Sequence, residues 1–256
     1  MESDWLRCGE RLDDLLIGNL KIIQNEQEFC FSLDAVLLAH FATVRPGVTA
    51  VDLGAGTGVL GLLLLARGAG SVTGVEINPA LADMAGRSAG FNGLAERLHF
   101  ICADIRQINT YFCGGREELV IANPPYRPVG GGLISPNGRV AVARHEVIGD
   151  LAAFIAAARF LVKYRGRFAM VHLPERLAEI LKGMSEAGLE PKRLQLVYPR
   201  PGRKPKLVLV EGVRGGKPGL DVLPPLFVCG SDGGYSQEIQ AYYQQNPPQA
   251  GDRNVR

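Results

Sequence analysis

The sequence predicts an α/β fold, in which a mostly parallel sheet has helices on both faces and ends in an antiparallel hairpin. Three observations predict it. From Thr49 onward, short apolar runs alternate with helical patterns, which is typical of a parallel sheet covered on both sides. A glycine-rich turn follows the first of these runs. Two late strand-like runs are joined by a short proline-rich link, and so short a link requires antiparallel pairing.

The chain divides into a cap, a core and a tail. Residues 1–48 are expected to form an N-terminal cap packed on the core, residues 49–228 the core, and residues 229–256 a tail. The end of the tail, from about Asn246, is rich in proline and polar residues and is expected to be disordered. Within the cap we expect a hairpin of strands 20–23 and 28–31, then a helix over 33–43 with Asp34 in its first turn, where a carboxylate suits the helix dipole.

The core is predicted to contain seven strands and four helices. The strands are expected near 50–53, 71–77, 98–103, 118–122, 167–173, 193–198 and 206–213. The helices are expected near 59–67, 79–91, 149–163 and 174–187.

Composition points to a soluble protein with an anionic partner. The chain has 256 residues, 46% of them hydrophobic, which is enough to bury a full core. The net charge is only +2, yet residues 159–217 carry 14 basic and five acidic side chains, a distribution that favours nucleic acid over a merely solvated face. The acidic start and the shortness of every apolar run predict no signal peptide and no membrane span, hence a cytoplasmic protein.

The cysteines predict neither disulfides nor a metal site. They are scattered, without a Cys-x-x-Cys pair or a metal-ligand spacing to the histidines. We therefore expect reduced, mostly buried thiols and no metal. The five cysteines are Cys8, Cys30, Cys102, Cys113 and Cys229.

A ligand pocket is predicted where the first strands of the sheet end. The run from Asp52 to Gly58, Asp-Leu-Gly-Ala-Gly-Thr-Gly, lets the backbone pass close to a ligand. It leads into a G-x-G-x-x-G pattern, so an NAD enzyme has to be considered. Glu76 ends the second strand, where it can accept both hydroxyls of a ribose. Asp104 ends the third and can accept from an adenine amino group, with Ile77 and Ile105 as apolar neighbours.

A second motif, Asn123-Pro124-Pro125-Tyr126, follows the strand at 118–122. Two prolines cannot extend a ladder, so Asn123 is held in a rigid turn at the end of a strand. Its side-chain oxygen and the Pro124 carbonyl can accept both N–H groups of a planar amine, while the Tyr126 ring stacks on its plane. The alternative is a strand-terminating turn with an exposed tyrosine. An NAD enzyme has no need of this motif.

These motifs, in this order and spacing, resemble class I S-adenosylmethionine-dependent methyltransferases that act on an amino nitrogen. That resemblance implies a Rossmann-like, mixed seven-stranded sheet and S-adenosyl-L-methionine as cofactor. Over roughly residues 10–228 the chain is similar to the bacterial tRNA(Val) adenine-37 N6-methyltransferase family. The similarity is carried by Arg11-Leu12-Asp13-Asp14-Leu15-Leu16, Leu20-Lys21-Ile22-Ile23-Gln24, Phe31-Ser32-Leu33-Asp34-Ala35-Val36-Leu37-Leu38, Asn123-Pro124-Pro125-Tyr126-Arg127, Ala143-Arg144-His145-Glu146 and Pro201-Gly202-Arg203-Lys204-Pro205.

The resemblance assigns roles to individual residues. It implies that Asn123, Pro124 and Tyr126 hold an adenine of tRNA, whose amino group takes the methyl group directly without a separate general base. The cofactor-binding candidates are Asp52, Gly54, Gly56, Gly58, Glu76, Ile77, Asp104, Ile105 and Asn123.

Two basic regions are candidates for contacts with RNA phosphates. The glycine-rich stretch 127–146 follows the second motif directly, and the tip of the late hairpin carries the other group. For the first stretch, a merely flexible connection is an equal alternative. The candidates are Arg127, Arg139, Arg144 and His145 in the stretch, and Arg200, Arg203, Lys204 and Lys206 at the hairpin tip.

Other substrates remain open at this stage. The same Asn-Pro-Pro-Tyr chemistry serves N5-glutamine methylation of a translation release factor and guanine N2-methylation of ribosomal RNA. DNA adenine methylation and a catalytically silent RNA-binding module are further alternatives. We expect tRNA as the partner, no membrane, and a monomer or weak homodimer.

Overall fold

The computed structural model describes residues 4–25, 33–126, 151–230 and 233–244. An N-terminal hairpin comes first, in which β1 (Glu10–Asp14) pairs antiparallel with β2 (Lys21–Asn25). Among the described residues, the partner of β2 precedes it; the predicted strand 28–31, and with it the predicted hairpin, lies outside the described residues. The turn signal that fixes this pairing is Gly18-Asn19, where both residues have positive φ, 60° and 56°.

The first half of the core alternates strands and helices as predicted. Helix α1 (Leu33–Phe41) is buried along most of its length. It is followed by β3 (Thr49–Leu53), α2 (Val59–Ala66), β4 (Ser71–Glu76), α3 (Pro79–Phe91), β5 (Leu98–Cys102), a 3₁₀ helix (Ile105–Thr110) and β6 (Glu117–Ala122). Asn78 begins α3 by accepting a hydrogen bond from the Ala80 N–H (3.0 Å), with Pro79 in the first turn, where its missing N–H costs nothing.

The second half resumes at residue 151. It contains α4 (Leu151–Leu161), β7 (Val162–His172), α5 (Leu177–Glu186), β8 (Leu189–Tyr198), β9 (Leu207–Arg214), β10 (Asp221–Val222), β11 (Leu226–Phe227) and α6 (Gln237–Gln244). Several predicted bounds were wrong. Strand β7 starts at Val162 rather than near residue 167. Helix α4 stops at Leu161, because Val162 already pairs with Glu117 of β6. Strand β8 starts at Leu189 and tolerates Pro191 at a register shift, the kind of irregularity where proline is found in strands.

One sheet organises the described core, with the strand order β10-β8-β9-β7-β6-β3-β4-β5 and β11 also paired with β8. Strand β9 is antiparallel to β7 and β8, and the other pairs are parallel. This confirms the predicted mostly parallel sheet with an antiparallel C-terminal hairpin. The seven predicted strands are all present, and β10 and β11, of two residues each, extend the edge at β8.

Alternate residues of the strands face two separate apolar clusters. Ala50, Val72 and Leu119 pack with α1 and α2 on one face of the sheet. Val51, Val75 and Val120, each an odd number of positions further along the same strands, pack with α4 and α5 on the other face. Because successive side chains of a strand point to opposite faces, the helices cover both sides, as predicted.

The C-terminal segment returns to α1. Ile239 of α6 is fully buried in the same cluster as α1. The ring of Tyr242 stacks on His40 of α1 at 4.1 Å, with an interplanar angle of 6°. The region predicted as a tail thus contains a packed helix; residues 245–256, where disorder was predicted, lie outside the described part of the chain.

The cysteine prediction was only partly right. Cys8, Cys102, Cys113 and Cys229 are free, but the first three are exposed and Cys229 is half-buried. Cys102 ends the edge strand β5, which leaves its side chain open to solvent. Cys30 lies outside the described residues. Among the described helices, none has both the length and the apolar character that a bilayer crossing requires.

Glu211 joins the end of α1 to the sheet. Its side chain, on β9, is completely buried and accepts hydrogen bonds from the Thr43 N–H (2.7 Å), the Thr43 hydroxyl (2.8 Å) and the Arg167 guanidinium (2.7 Å). Arg193 reaches the Phe41 carbonyl at 3.0 Å and lies 4.8 Å from the centroid of the Phe41 ring. One carboxylate therefore fixes the C-terminal end of α1 against two strands.

We expect Glu211→Ala to lower the free energy of unfolding by about 3 kcal/mol, because it leaves Arg167 and the Thr43 donors without their buried acceptor. Urea unfolding followed by circular dichroism measures this change. The control is Glu118→Ala, which removes an ion pair to Lys163 whose side chains are 39% and 44% exposed and should cost less than about 1 kcal/mol. Equal losses in the two variants would contradict an anchoring role for Glu211.

Candidate active site

The register of the central strands brings the predicted site residues to one edge of the sheet. Leu53 lies opposite Val75 on β4 and opposite Ala122 on β6, and Glu76 lies opposite Cys102 on β5. Because these strands are parallel, their C-terminal ends meet at this edge. The glycine-rich turn, Glu76, Asp104 and Asn123 all follow directly from those ends.

The glycine-rich turn needs its glycines for two different reasons. Gly54, Gly56 and Gly58 have φ of 74°, 55° and 87°, a region that favours glycine. A Cβ on Gly58 would lie 2.6 Å from the Phe100 ring, so no side chain fits there. A Cβ on Gly56 would meet nothing within 4 Å, so this part of the turn has open space beside it. Such an open backbone surface before the N-terminus of α2 suits a ligand.

Glu76 braces this turn. Its carboxylate is 7% exposed and accepts hydrogen bonds from the Gly56 N–H and the Asn78 N–H, both at 2.8 Å. The side chain predicted to bind a ribose is therefore held in place by backbone N–H groups of the glycine-rich turn and of the residue two positions after Glu76. Each carboxylate oxygen has two lone pairs, so these bonds leave capacity to accept ribose hydroxyls.

Asp52 is a buried carboxyl group without a hydrogen-bond partner among the described residues. Its side chain is completely buried, and neither oxygen receives a hydrogen bond. Burial, together with the nearby charge of Glu76, raises the pKa of Asp52 to about 8. Buried polar atoms are normally satisfied, so an unpartnered carboxyl group beside the glycine-rich turn fits a ligand that supplies hydrogen-bonding groups.

Asp104 is less available than the sequence suggests. Its carboxylate caps the 3₁₀ helix by accepting the Arg106 N–H (2.9 Å) and also contacts the Arg106 guanidinium (2.5 Å). These hydrogen bonds hold the pKa of Asp104 below its usual range. An adenine amino group would have to share this carboxylate with Arg106. Ile77 is 36% exposed and Ile105 is half-buried, so both remain accessible as apolar neighbours.

The Asn-Pro-Pro-Tyr turn is held from two sides. Asn123 is half-buried, and the half-buried Tyr126 packs against the core, in contrast to the alternative of an exposed tyrosine. The Tyr126 hydroxyl oxygen is 2.6 Å from Oδ2 of Asp34 and 3.0 Å from Oδ1 of Asn123. Burial, followed by the charge of Asp34, raises the pKa of the Tyr126 phenol, so this group stays protonated.

Sequence reasoning missed two residues of this site. Asp34 was interpreted as a carboxylate that complements a helix dipole, whereas its carboxylate contacts Tyr126. His172 ends β7, is 1% exposed, and has its ring 5.4 Å from that of Tyr126. Burial lowers the pKa of His172 to about 4, and Nδ1 accepts the Leu173 N–H at 2.7 Å, so the ring is neutral near pH 7. The position of His172 at the end of a predicted strand is the one feature of the sequence that could have indicated its place in the site.

The predicted basic contacts divide into two groups. Arg127, Arg139, Arg144 and His145 lie outside the described residues. The hairpin tip is described, and because β8 and β7 are both antiparallel to β9, this tip lies at the same edge of the sheet as Asn123. A cleft of about 420 Å³ at the tip is lined by Pro199, Arg200, Arg203, Lys204 and Lys206. In the described part of the chain, no carboxylate forms an ion pair with these four basic side chains.

Comparisons with known proteins agree on the type of domain. A family model described as a methyltransferase domain matches residues 50–124. A tRNA1(Val) (adenine(37)-N6)-methyltransferase of Tolumonas auensis is 31% identical over 211 residues, which cover 81% of this chain and 85% of the relative. Its counterpart in Cronobacter sakazakii is 31% identical over 79% of this chain and 82% of the relative. The one in Bacteroides fragilis is 28% identical over 69% and 74%, respectively.

Solved structures show the same fold at lower identity. A crystal structure described as a predicted O-methyltransferase from Agrobacterium tumefaciens superposes with a TM-score of 0.66 at 23% identity, covering 82% of this chain and 95% of that one. Geranyl diphosphate C-methyltransferase from Streptomyces coelicolor, solved with S-adenosyl-L-homocysteine, gives a TM-score of 0.52 at 17% identity, covering 70% and 78%. At these identities the likeness establishes the class I methyltransferase fold and nothing about the substrate.

Asp52 should give the ligand-free protein a characteristic pH dependence. Its pKa is about 8 in the fold and near 3.8 in the unfolded chain, so between these values the folded state holds a proton that the unfolded state has lost. The contribution of Asp52 to stability therefore falls as the pH rises from about 4 to 8. Asparagine does not titrate, so Asp52→Asn should gain about 2–4 kcal/mol relative to the wild type between pH 5 and pH 8.

Urea unfolding of both proteins at several pH values measures this difference, and titrating groups that do not interact with Asp52 cancel in it. A difference that stays constant from pH 5 to pH 8 would show that Asp52 is ionised throughout this range in the folded protein.

Proposed function

The chain belongs to the family of tRNA1(Val) (adenine(37)-N6)-methyltransferases, and from this membership we propose that it methylates N6 of adenine 37, beside the anticodon of a valine tRNA. The observation that carries the proposal is the Asn-Pro-Pro-Tyr turn, which stands at the end of β6 beside the glycine-rich turn that follows β3. This turn offers two acceptors and an aromatic ring, which is what a planar amino group requires.

The cofactor is S-adenosyl-L-methionine, which supplies an activated methyl group on a sulfonium centre when it is bound. We assign its binding to the glycine-rich turn and the acids at the strand ends. The buried carboxyl group of Asp52 has no hydrogen-bond partner among the described residues, and Glu76 has lone pairs that can accept ribose hydroxyls. Ile77 and Ile105 flank Asp104 as apolar surfaces for an adenine. The open side of Gly56 leaves room for the ligand next to these groups.

In this proposal Asn123, Pro124 and Tyr126 prepare the target base. The lone pair of the adenine amino group is delocalised into the ring, which makes it a weak nucleophile. When Oδ1 of Asn123 and the carbonyl of Pro124 accept its two N–H groups, the nitrogen is held in place and can pyramidalise. Stacking on Tyr126 fixes the plane of the base. An adenine in a single-stranded loop is turned outward at little cost.

The reaction needs no general base before transfer in this arrangement. His172 is the titratable ring nearest to Tyr126, and its pKa of about 4 makes it neutral at pH 7. We propose that His172 supports the Tyr126 ring by packing against it. The proton that the methylated nitrogen releases afterwards can pass to water, because adenine methylated at N6 is far less basic than an alkylamine.

The hairpin tip is the part of the described surface best suited to the tRNA backbone. Its four basic side chains have no carboxylate partners among the described residues and line one cleft at the edge of the sheet that carries Asn123. Phosphates of the anticodon stem would lie there while the loop reaches Asn123. We place the enzyme in the cytoplasm, where tRNA is modified, as a monomer or weak homodimer.

The deciding test uses labelled S-adenosylmethionine and total tRNA from a strain that lacks this gene, followed by nucleoside digestion and mass spectrometry. We expect N6-methyladenosine in a valine tRNA. Asn123→Ala should lower turnover about a hundredfold, because an acceptor at the reacting nitrogen is lost, while the Kd for S-adenosylmethionine stays within about threefold. Label in a release-factor glutamine or in guanine would refute the proposed substrate, and near-normal turnover of the variant would refute the role of Asn123.

The contribution of the hairpin tip is tested by removing charge at two places. We expect Arg200→Gln, Arg203→Gln and Lys204→Gln together to weaken tRNA binding and to flatten the plot of log K against log salt by about two units, since each lost phosphate contact removes about 0.7–0.9 units. The matched control is Arg165→Gln, Lys192→Gln and Lys217→Gln, which removes equal charge from a basic cleft at the opposite edge of the sheet. Equal changes of slope in both triple variants would argue against a specific contact at the tip.

A further inference from the structure

The Tyr126 hydroxyl has two oxygen neighbours but only one proton. Oδ2 of Asp34 lies 2.6 Å away and Oδ1 of Asn123 lies 3.0 Å away. A phenol donates a single hydrogen bond, and a carboxylate is a stronger acceptor than an amide oxygen. The shorter distance is the one to Asp34. The proton therefore belongs to the contact with Asp34.

This assignment determines how the Asn123 amide is oriented. With the proton on the Asp34 side, the lone pairs of the phenol oxygen face Asn123 and need a donor there. An amide turned by 180° about its last bond keeps its shape and presents Nδ2–H to the phenol oxygen. Its Oδ1 then points away from Tyr126. The Asn123 amide N–H then donates to the Tyr126 oxygen, and the Tyr126 O–H donates to the Asp34 carboxylate.

We propose that Asp34 is a positioning residue for methyl transfer, which acts through the Tyr126 hydroxyl to turn Oδ1 of Asn123 toward the substrate amino group. The inference rests on the role of Asn123 under the proposed function, which it deepens. Without Asp34, the phenol donates its proton to Oδ1 of Asn123 and holds this oxygen turned toward Tyr126, away from the substrate amino group.

The placement of Asp34 supports this role. It lies in the first turn of α1, whose following residues, from Ala35 to Ala39, are buried. At its other end the helix is fixed by the contacts of Phe41 and Thr43 with Arg193 and Glu211. The carboxylate therefore approaches Tyr126 from a rigid element. The buried neighbour His172 is uncharged near pH 7 and supplies no competing cation.

The proposal makes an unusual prediction about two substitutions. Asp34→Ala alone should lower kcat about tenfold to a hundredfold, because the freed hydroxyl holds Oδ1 of Asn123 turned away from the substrate amino group. Tyr126→Phe removes that hydroxyl but keeps the ring. In the double variant no hydroxyl holds Oδ1 toward residue 126, so Asp34→Ala with Tyr126→Phe should turn over at least about fivefold faster than Asp34→Ala alone. A merely structural role of Asp34 cannot produce such a rescue.

Steady-state methylation of the valine tRNA by the three variants measures this, with the melting temperature and the Kd for S-adenosylmethionine as checks on folding. Asp14→Ala is the control on the same N-terminal segment, because it removes an exposed carboxylate paired with Lys21 and should leave kcat unchanged. A double variant as slow as Asp34→Ala, or slower, would overturn the proposal.

A second readout does not depend on any RNA. In protein labelled with ¹⁵N at asparagine, the side-chain NH₂ signals of Asn123 are assigned from their absence in Asn123→Asp. We expect one of these protons to have, in the wild type, the chemical shift of a hydrogen-bonded proton. This chemical shift should be lost in Asp34→Ala and in Tyr126→Phe. Unchanged signals in both variants would overturn the network. If the shift behaves as expected while the wild type methylates no tRNA, the proposed substrate fails and the orientation of the amide stands.

Discussion

The parallel register of β3, β4, β5 and β6 is the constraint on which the site depends. Hydrogen bonds between parallel strands fix how far each strand extends past its neighbour, so they also fix where each one ends. In this chain they place Leu53 level with Val75 and Ala122. A shift of one residue in any ladder would turn every side chain of that strand to the other face. The acids and Asn123 come together only because the apolar clusters on both faces hold the register.

Helix α1 adds what the sheet alone cannot supply. The sheet brings Asn123 and Tyr126 to its edge, but a tyrosine after two prolines has no strand to define its hydroxyl direction. The carboxylate of Asp34 provides that direction from outside the sheet. The C-terminal end of α1 is held by Glu211. The orientation of the Asn123 amide at one end of the helix therefore depends on a buried carboxylate at the other end. The N-terminal segment is thus linked to the chemistry of the core.

Much of this could be predicted from the sequence, because the signals were local. The glycine-rich turn, the strand ends at Glu76 and Asp104, and the proline-stiffened turn at Asn123 each depend on a few adjacent residues. Asp34 and Tyr126 are 92 positions apart in the sequence, and the residues around each of them give no sign that they are in contact. The pairing of β1 with β2 was not predicted, because the pattern around β2 allows a partner on either side. The competition of Arg106 for Asp104 requires side-chain positions that a pattern of residue types does not contain.

The link between Thr43 and Glu211 also has a consequence for how the chain is made. The two residues are separated by 168 positions, so a ribosome that adds about 5–20 residues per second completes α1 roughly 8–30 seconds before it synthesises the carboxylate that fixes it. During that interval the faces of α1 that later pack on β7 and β9 lack their native cover. A nascent chain at this stage presents an apolar helix to chaperones. A chain released before β9 is synthesised would have a complete glycine-rich turn, but no means of holding Asp34 beside Tyr126.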